Sequence, residues 1–415
     1  MCKRKVKRID LYSILLLKKN NDFCYSYIFS IMKTLLTIFF STLTLCAFSQ
    51  NKSKLKVIET GIETFKMTDS GQPESQQTWT VMPQVKIDMY ETGGIQGNNN
   101  KVTFYTDKET FEVTVSLKKP VYDFIFLYKG DSCYTRVHFN QIPNYLDTLR
   151  KGKKYNPSEM VELPKFTYQD MNHPELVSLR KKYNLDSIAG NASEVQKMIN
   201  LMHWVHNSIK HDGQHDIPKI KNADNLIQAC KDTIRGLNCR GLAITLNEFY
   251  LAMGFKSRYV TCMPRELEFN DCHVINMVFS NELSKWIYLD PTNNAYLMDE
   301  KGTLLSIEEV RQRMIEKKTL ILNPDANWNN LEVTDPTFYL TFYMAKNLYR
   351  IECPISSEYN FETKAPNKTV EYIELLPMNA LNQVPSKKEF SNSEVNSKFI
   401  EYKTNNPIIF WASPM

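Results

Sequence analysis

Cys239 is the residue whose surroundings best suit covalent chemistry. It lies in Gly236-Leu-Asn-Cys-Arg-Gly241, directly before a stretch whose apolar residues have helical spacing, so it should begin a helix. The free N–H groups and the dipole at a helix start stabilise a thiolate and lower the pKa of the thiol. The same N–H groups can donate to an oxyanion formed by attack on a carbonyl. We therefore predict a cysteine nucleophile here; a buried or disulfide-bonded cysteine is the alternative.

Two further side chains can be placed together by strand pairing. We take Glu282 and Leu283 as the centre of a hairpin loop between two strands. Ile275 then faces Asp290, and His273 becomes a diagonal neighbour of Asp290 on the same face of the sheet. In that arrangement Asp290 orients the imidazole and His273 activates the thiol. A structural histidine and an aspartate that forms a turn before proline are the alternatives.

The helices and strands that must hold these residues follow from apolar spacing and capping signals. The predicted helices run from the capping box Ser193-x-x-Gln196 to about Lys210, from Cys239 to Met253 with Gly254 after its end, and from the capping box Ser306-x-x-Glu309 to about Lys317. The predicted strands of this region are Ser257–Cys262, Cys272–Phe279, Lys285–Leu289, Thr369–Leu375 and Pro407–Trp411. The segment Phe338–Tyr349 fits either a helix or a strand.

An ordered set of motifs resembles a known family. The set comprises Asn238-Cys-Arg-Gly-Leu-Ala243, Ala252-Met-Gly-Phe-Lys-Ser-Arg258, Asp271-Cys-His273 and Trp286-Ile-Tyr-Leu-Asp-Pro-Thr292. In this order it resembles the core of the transglutaminase-like superfamily of papain-fold proteins, and its compact spacing resembles microbial members. The resemblance covers about residues 195–300. It implies Cys239 as nucleophile, His273 as general base and acid, and Asp290 as the orienting carboxylate. Some members of the superfamily bind without catalysing.

The rest of the chain suggests further domains. Alternating apolar residues over 50–150 predict an antiparallel β-sandwich. A polar stretch over 151–173 is the candidate linker to the transglutaminase-like core at 174–330, and 331–415 forms a mixed α/β extension. The predicted fold class is therefore α+β.

Charge and apolar patterning at the N-terminus indicate export. The formal net charge is +5, but the first 31 residues hold seven Lys or Arg and only two Asp, so the remainder is close to neutral. Met32–Ser49 has the layout of a signal peptide: a lysine, an apolar stretch and a small-x-small site. Residues 1–31 are then an upstream segment, and the mature protein is secreted or periplasmic, with no stable membrane insertion. A near-neutral mature chain without a Gly-rich phosphate loop argues against nucleic-acid binding.

Six cysteines follow the leader: Cys133, Cys230, Cys239, Cys262, Cys272 and Cys353. An oxidising compartment would permit disulfides among them. Cys262 and Cys272 flank a short loop and could bridge it, whereas a bridge from Cys239 to Cys230 would remove the nucleophile.

Four histidines offer a metal-binding alternative. His203, His206, His211 and His215 lie close together in sequence, and the first two have an i, i+3 spacing that can chelate zinc. No H-E-x-x-H pattern accompanies them.

We predict from these observations an exported, bacterial-type thiol enzyme. It would transfer an acyl group from an amide through a thioester on Cys239, by hydrolysis or transamidation. The substrate would be a protein, a peptide or a cell-wall amide, and no cofactor or metal is required. A module on the same fold that binds peptide or cell-surface polymer without catalysis is the second hypothesis.

Overall fold

The computed structural model describes residues 55–70, 77–94, 99–141, 143–152, 154–159, 162–213, 215–232, 235–269, 271–392 and 396–414. The predicted upstream segment (1–31) and signal peptide (32–49) lie outside these residues. The chain divides into two compact units, one up to Pro143 and the other from Asn144 onward. In the part that the structure describes, no helix is both long enough and apolar enough to cross a membrane.

Two four-stranded sheets make up the first unit. Its strands are β1 (Lys56–Thr60), β2 (Thr64–Asp69), β3 (Gln77–Thr80), β4 (Asp88–Gly94), β5 (Asn100–Tyr105), β6 (Thr110–Val115), β7 (Val121–Tyr128) and β8 (Asp131–Gln141). One sheet has the order β1-β7-β8-β4 and the other β3-β2-β5-β6. Alternate residues of each strand are buried, so Phe104 and Phe111 of one sheet share a core with Phe124 and Phe126 of the other.

The pairing in this unit is not antiparallel throughout. The β1–β7 and β4–β8 pairs are parallel, whereas the sequence predicted an antiparallel sandwich. Alternation of apolar residues reports which face of a strand is buried and carries no information on strand direction, which explains the difference.

The second unit combines helices with one large sheet. The helices are α1 (Tyr145–Lys151), α2 (Pro174–Tyr183), α3 (Leu185–Ala189), α4 (Glu194–Ser208), α5 (Ala223–Asp232), α6 (Cys239–Ala252), α7 (Ile307–Glu316), a π-helix (Phe338–Met344), α8 (Ala345–Asn347), α9 (Met378–Leu381) and α10 (Pro407–Phe410). The strands are β9 (Thr167–Tyr168), β10 (Ser257–Met263), β11 (His273–Ser280), β12 (Lys285–Leu289), β13 (Leu297–Met298), β14 (Ile321–Leu322), β15 (Asn327–Trp328), β16 (Glu332–Val333), β17 (Arg350–Pro354), β18 (Ser356–Ser357), β19 (Thr369–Leu375), β20 (Ser386–Asn392) and β21 (Ser397–Thr404).

Seven of these strands form one sheet in the order β12-β11-β10-β17-β19-β21-β20. Helix α6 packs on one face, where Leu246 contacts the layer that contains Val274. The π-helix and α7 pack on the other face, where Tyr339 and Val310 share a core with Ile275. Mixed α and β structure in this region agrees with the predicted fold class.

The sheet runs across the domain boundaries that the sequence suggested. The segment proposed as a linker, 151–173, lies inside the second unit, and its Tyr155, Leu163 and Phe166 pack against the core. Residues 331–415, proposed as an extension, supply β17, β19, β20 and β21 to the same sheet as the core strands.

Local signals placed most helix ends correctly. Ser306 and Glu309 form a complete capping box at the start of α7. At α4 only half of the predicted box exists, because Ser193 accepts from the backbone N–H of Gln196 while the Gln196 side chain donates to Asn200 instead. Gly254 follows α6 with φ of +84°, a conformation that glycine adopts without strain.

The secondary structure of one segment differs from the prediction, and that of a second segment, which the prediction left open, is now known. Pro407–Trp411, predicted as a strand, contains helix α10, because Asn406 caps the N–H groups of Ile408 and Ile409 and proline suits the first helical turn. An apolar run this short cannot distinguish strand from helix by its pattern. Phe338–Tyr349, left open between helix and strand, contains the π-helix followed by α8.

Arg258, the last residue of the motif Ala252-Met-Gly-Phe-Lys-Ser-Arg258, is fully buried. Its guanidinium carbon lies 3.8 Å from the ring centre of Phe166 and 4.6 Å from that of Trp286. It also donates a 3.2 Å hydrogen bond to the carbonyl of Phe410. Cation–π contacts thus tie the segment before α2 and the C-terminal helix to β10.

Candidate active site

Cys239 begins α6 and is partly exposed. The side-chain oxygen of Asn238 caps the helix by accepting a 3.1 Å hydrogen bond from the N–H of Gly241. The position of the thiol in the first helical turn, predicted from the sequence, is confirmed.

The chain that precedes Cys239 is paired with the segment that follows α4. Leu237 donates its N–H to Lys210 at 3.0 Å and accepts from Asp212 at 2.7 Å. Only glycine fits at 236, because a Cβ there would lie 2.0 Å from the Lys210 carbonyl oxygen. This close approach brings His211, the bridge partner of Leu237, to the thiol.

His273 and Asp290 are brought together by the β11–β12 hairpin. The observed register pairs Asn276 with Leu289 and Met277 with Tyr288, which is the register predicted from the loop centre. His273 Nε2 lies 2.8 Å from Asp290 Oδ2, and both side chains are completely buried.

The Asp290 carboxylate accepts several hydrogen bonds besides that of the imidazole. The hydroxyl of Tyr339 donates at 2.7 Å, the N–H of Thr292 at 2.9 Å and the side-chain amide of Asn293 at 3.0 Å. Burial raises the pKa of this carboxyl, but the charge of His273 and these donors outweigh it and lower the pKa to about 2. Asp290 is therefore ionised at neutral pH.

The electrostatics favour a thiolate–imidazolium pair. Burial raises the pKa of Cys239, but hydrogen bonds with His211 and His273, the His273 charge and the Val274 N–H overcome it and lower the pKa to about 6. Burial lowers the pKa of His273, yet the charge and hydrogen bond of Asp290 and the interaction with Cys239 raise it to about 10. Between these values the thiol is ionised and the imidazole is charged.

The π-helix adds two tyrosines that the sequence analysis did not find. Tyr339 donates to Asp290 and also contacts the hydroxyl of Tyr288 at 2.5 Å. The Tyr343 hydroxyl lies 3.1 Å from His273 Nδ1, the imidazole nitrogen not used by Asp290. The two tyrosines lie four positions apart in a segment of ambiguous pattern, so no sequence signal linked them to the site.

His211 is the second addition to the predicted set. Its Nδ1 lies 3.1 Å from the indole N–H of Trp328, which can only donate. The neutral imidazole therefore carries its proton on Nε2, and that N–H is available to the Cys239 sulfur. In the sequence, His211 is recognisable only as one of four clustered histidines.

The cysteines do not pair in this structure. All six described cysteines, including Cys239, are free thiols. Neither the Cys262–Cys272 bridge nor a bridge from Cys239 to Cys230 is present. Burial raises the pKa of Cys272 to about 11 and that of Cys230 above its usual value, so Cys239 stands apart from them.

The four clustered histidines have separate partners. His203 lies 3.5 Å from Asp325, and His206 bonds the carbonyl of Pro291. His215 bonds Asp212 while His211 faces the thiol. Among the described residues no three metal-ligating side chains are grouped so that they could hold an ion. The predicted metal-binding alternative therefore has no geometric support here.

Comparison with known proteins agrees with the motif resemblance. Residues 181–291 match the family model of the transglutaminase-like superfamily. A protein from Cytophaga hutchinsonii described as a "putative cysteine protease" is 16% identical with a TM-score of 0.24, over 40% of this chain and 46% of that one. Red sea bream transglutaminase is 12% identical with a TM-score of 0.20, over 47% and 38%. This chain thus spans less than half of either structure, and no curated protein matches it. The chain carries a transglutaminase-like domain at residues 181–291.

Proposed function

We propose that this protein is a thiol enzyme that transfers the acyl group of an amide through a thioester on Cys239. The observation that carries the proposal is the buried His273–Asp290 pair, 2.8 Å apart, next to a helix-start thiol whose pKa is lowered to about 6. A lowered thiol pKa beside a charged imidazole is the arrangement that activates cysteine nucleophiles.

The reaction follows from these protonation states. The Cys239 thiolate attacks the amide carbonyl, a C–S bond forms, and the negative charge moves to the carbonyl oxygen. As the tetrahedral intermediate collapses, the C–N bond breaks and the His273 imidazolium gives its proton to the departing amine. Water or a second amine then attacks the thioester carbonyl and passes a proton to His273, which becomes an imidazolium again. The C–S bond breaks, so that the acid or the new amide leaves and the Cys239 thiolate is restored. Asp290 orients the imidazole and stabilises its charge throughout.

His211 completes the proposed site as a donor to the oxyanion. Its Nε2–H faces the sulfur region because Trp328 occupies Nδ1. Together with the N–H groups of the first turn of α6, it could stabilise the charge on the attacked oxygen.

Trapping an acyl-enzyme tests the function. We expect a peptide library incubated with native protein and quenched in acid to leave an acyl mass on the peptide that contains Cys239. The Cys239→Ala variant should carry none. Failure to trap an adduct, together with reversible binding of the same peptides, would favour the non-catalytic binding hypothesis. That hypothesis has one supporting observation, which is that the Tyr343 hydroxyl contacts the nitrogen that must protonate the amine.

Export and substrate class belong to the same proposal. A secreted or periplasmic enzyme of this kind would act on a protein, a peptide or a cell-wall amide. N-terminal sequencing of protein recovered outside the cytoplasm should begin near Gln50, and a chain that still begins near Met1 would refute the signal-peptide prediction.

The pH dependence of alkylation should distinguish Cys239 from the other cysteines. Because its pKa is lowered to about 6, its rate of reaction with iodoacetamide should be nearly constant above pH 7 and fall about tenfold per unit well below pH 6. Cys230 and Cys272, whose pKa values are raised, should react only at alkaline pH. Mass spectrometry of each cysteine-containing peptide measures these rates. An inflection of the Cys239 rate near the ordinary thiol pKa, about 8.5, would contradict the proposed ion pair.

His211 should contribute through its N–H. We expect His211→Ala to lower the acyl-transfer rate by about 10²–10³-fold, the usual effect of removing one oxyanion donor. His211→Gln retains an N–H donor and should recover part of the rate. Turnover of the fastest trapped peptide measures both, and equal losses in the two variants would show that His211 acts only through packing.

A further inference from the structure

A cavity of about 420 Å³ opens next to the start of α6. Arg240, the residue after the proposed nucleophile, lines it, and so do strands β17, β19, β20 and β21. The volume lies within the range of about 300–1,000 Å³ that small-molecule sites occupy. The acyl-transfer chemistry proposed above does not use this cavity.

The base of the cavity is a rigid charged cluster built on Glu362. This carboxylate is 6% exposed and accepts from Arg240 Nε at 3.0 Å and from the hydroxyls of Tyr259 at 2.9 Å and Tyr372 at 2.7 Å. Lys221 lies 3.2 Å away. Burial raises the pKa of Glu362, but Arg240, Lys221 and the tyrosines outweigh it and lower the pKa to about 2. At the base of the cavity, the negative charge of Glu362 is therefore paired with the two positive charges of Arg240 and Lys221.

The rim adds more positive charge. Lys364 and Lys398 line the cavity, are exposed and form no ion pair within the described residues. The carboxylate of Glu352, the remaining acid in the lining, accepts no hydrogen bond from the described residues. Burial raises its pKa to about 7 against the charge of Arg240, so part of it is neutral near pH 7. The cavity consequently has a surplus of positive charge.

One wall of the cavity is apolar. The rings of Tyr372 and Phe399 stack at 5.2 Å, and Phe390 lies 6.0 Å from Phe399. Val370 also lines this wall. Such a wall can hold the methylene stem of a side chain whose charged end reaches the lysines.

The cavity lies on the helix side of the sheet, close to the thiol. Tyr259 and Tyr372 belong to the same apolar layer as α6. Arg240 directly follows Cys239 in the first turn of α6 and donates to the hydroxyl of Thr261, which is paired with Glu352 across β10 and β17. A peptide held with its amide at the sulfur could therefore place a neighbouring group in the cavity.

We propose that this cavity binds a carboxylate of the acyl substrate, so that the enzyme prefers peptides that carry a carboxylate near the amide that is attacked. This inference rests on the proposed function because it assumes that the bound peptide is an acyl substrate. Binding of the carboxylate itself does not require the acyl transfer. The carboxylate belongs either to a glutamate-like side chain or to the C-terminus of the peptide.

Binding to the Cys239→Ala protein tests the inference without any turnover. Three N-acetylated peptides are titrated by calorimetry at low ionic strength: Ala-Glu-Ala amide, Ala-Gln-Ala amide and Ala-Gln-Ala with a free C-terminus. We expect at least one of the two carboxylate peptides to bind at least about tenfold more tightly than the neutral amide. The peptide that does so shows whether the cavity recognises a glutamate side chain or a C-terminal carboxylate. Adding the substitutions Lys364→Gln and Lys398→Gln should weaken the binding of that peptide about tenfold. The effect is modest because each exposed pair of a lysine and the peptide carboxylate contributes little energy.

A matched variant separates the cavity from general charge. Lys165→Gln with Lys301→Gln removes the same charge at exposed positions outside the cavity lining and should leave the affinity unchanged. Equal affinity for all three peptides, or equal losses in the two double variants, would overturn the inference. If a carboxylate peptide binds more tightly than the neutral amide but native protein forms no acyl adduct on Cys239, the cavity assignment is supported and the proposed chemistry is refuted.

Discussion

Replacing His273 with alanine is expected to lower the acyl-transfer rate by about 10²–10⁴-fold, the usual contribution of a positioned acid and base. The variant loses the proton that the departing amine requires. It also loses the hydrogen bond and the positive charge that lower the pKa of Cys239. The inflection in the rate of Cys239 alkylation should therefore move upward from about pH 6 in the same variant.

Two measurements make this result specific. Turnover of the fastest trapped peptide gives the rate, and mass spectrometry of alkylated Cys239 gives the inflection. His173→Ala is the control, because His173 is an exposed histidine that pairs with Glu175 near the start of α2. Near-native turnover in His273→Ala, with circular dichroism showing a folded protein, would remove the proposed mechanism.

Replacing Asp290 with alanine is expected to lower the free energy of unfolding by about 3–5 kcal/mol, as when one partner of a buried ion pair is removed. His273 would remain completely buried without its counter-ion. The hydroxyl of Tyr339 and the amide of Asn293 would lose their acceptor. Urea denaturation at pH 6 measures the change.

The control and the pH dependence follow from charge. Asp186→Ala removes an ion pair between an exposed carboxylate and Arg180 and should cost about 1 kcal/mol or less. Because the pKa of Asp290 is lowered to about 2, its stabilising contribution is present above the ordinary carboxyl pKa and is lost as the pH falls through 2. The stability difference between native protein and Asp290→Ala should thus shrink between pH 4 and pH 2. A constant difference over that interval would show that the carboxylate charge is not responsible.

The strand register was accessible to sequence reasoning because a hairpin is a local structure. The positions of Glu282 and Leu283 determine which residues of β11 and β12 face one another, and the observed pairing of Met277 with Tyr288 agrees. The start of α6 was equally accessible, since Asn238 is a typical helix cap. The catalytic roles of Cys239, His273 and Asp290 stay predictions until the experiments above are done.

Contacts between distant segments were not accessible. His211 reaches Cys239 only because residues near Gly236 pair with residues after α4, and Trp328 then orients its ring. Tyr343 reaches His273 from 70 positions away in the chain. Periodicity and capping signals depend on residues that are neighbours along the chain. They therefore cannot predict contacts such as those of His211 with Cys239 and of Tyr343 with His273.

The order of strands in the large sheet has a consequence for how the protein folds. β10, β11 and β12 come from residues 257–289, but β10 pairs on its other side with β17 at 350–354, and the sheet is completed by residues up to 404. Closing loops of this length before the pairing is gained slows folding. During synthesis, the segment with Cys239 and His273 leaves the ribosome well before its β neighbours. We therefore expect nascent chains that stop near residue 291 to expose the unpaired side of β10 and to require chaperones.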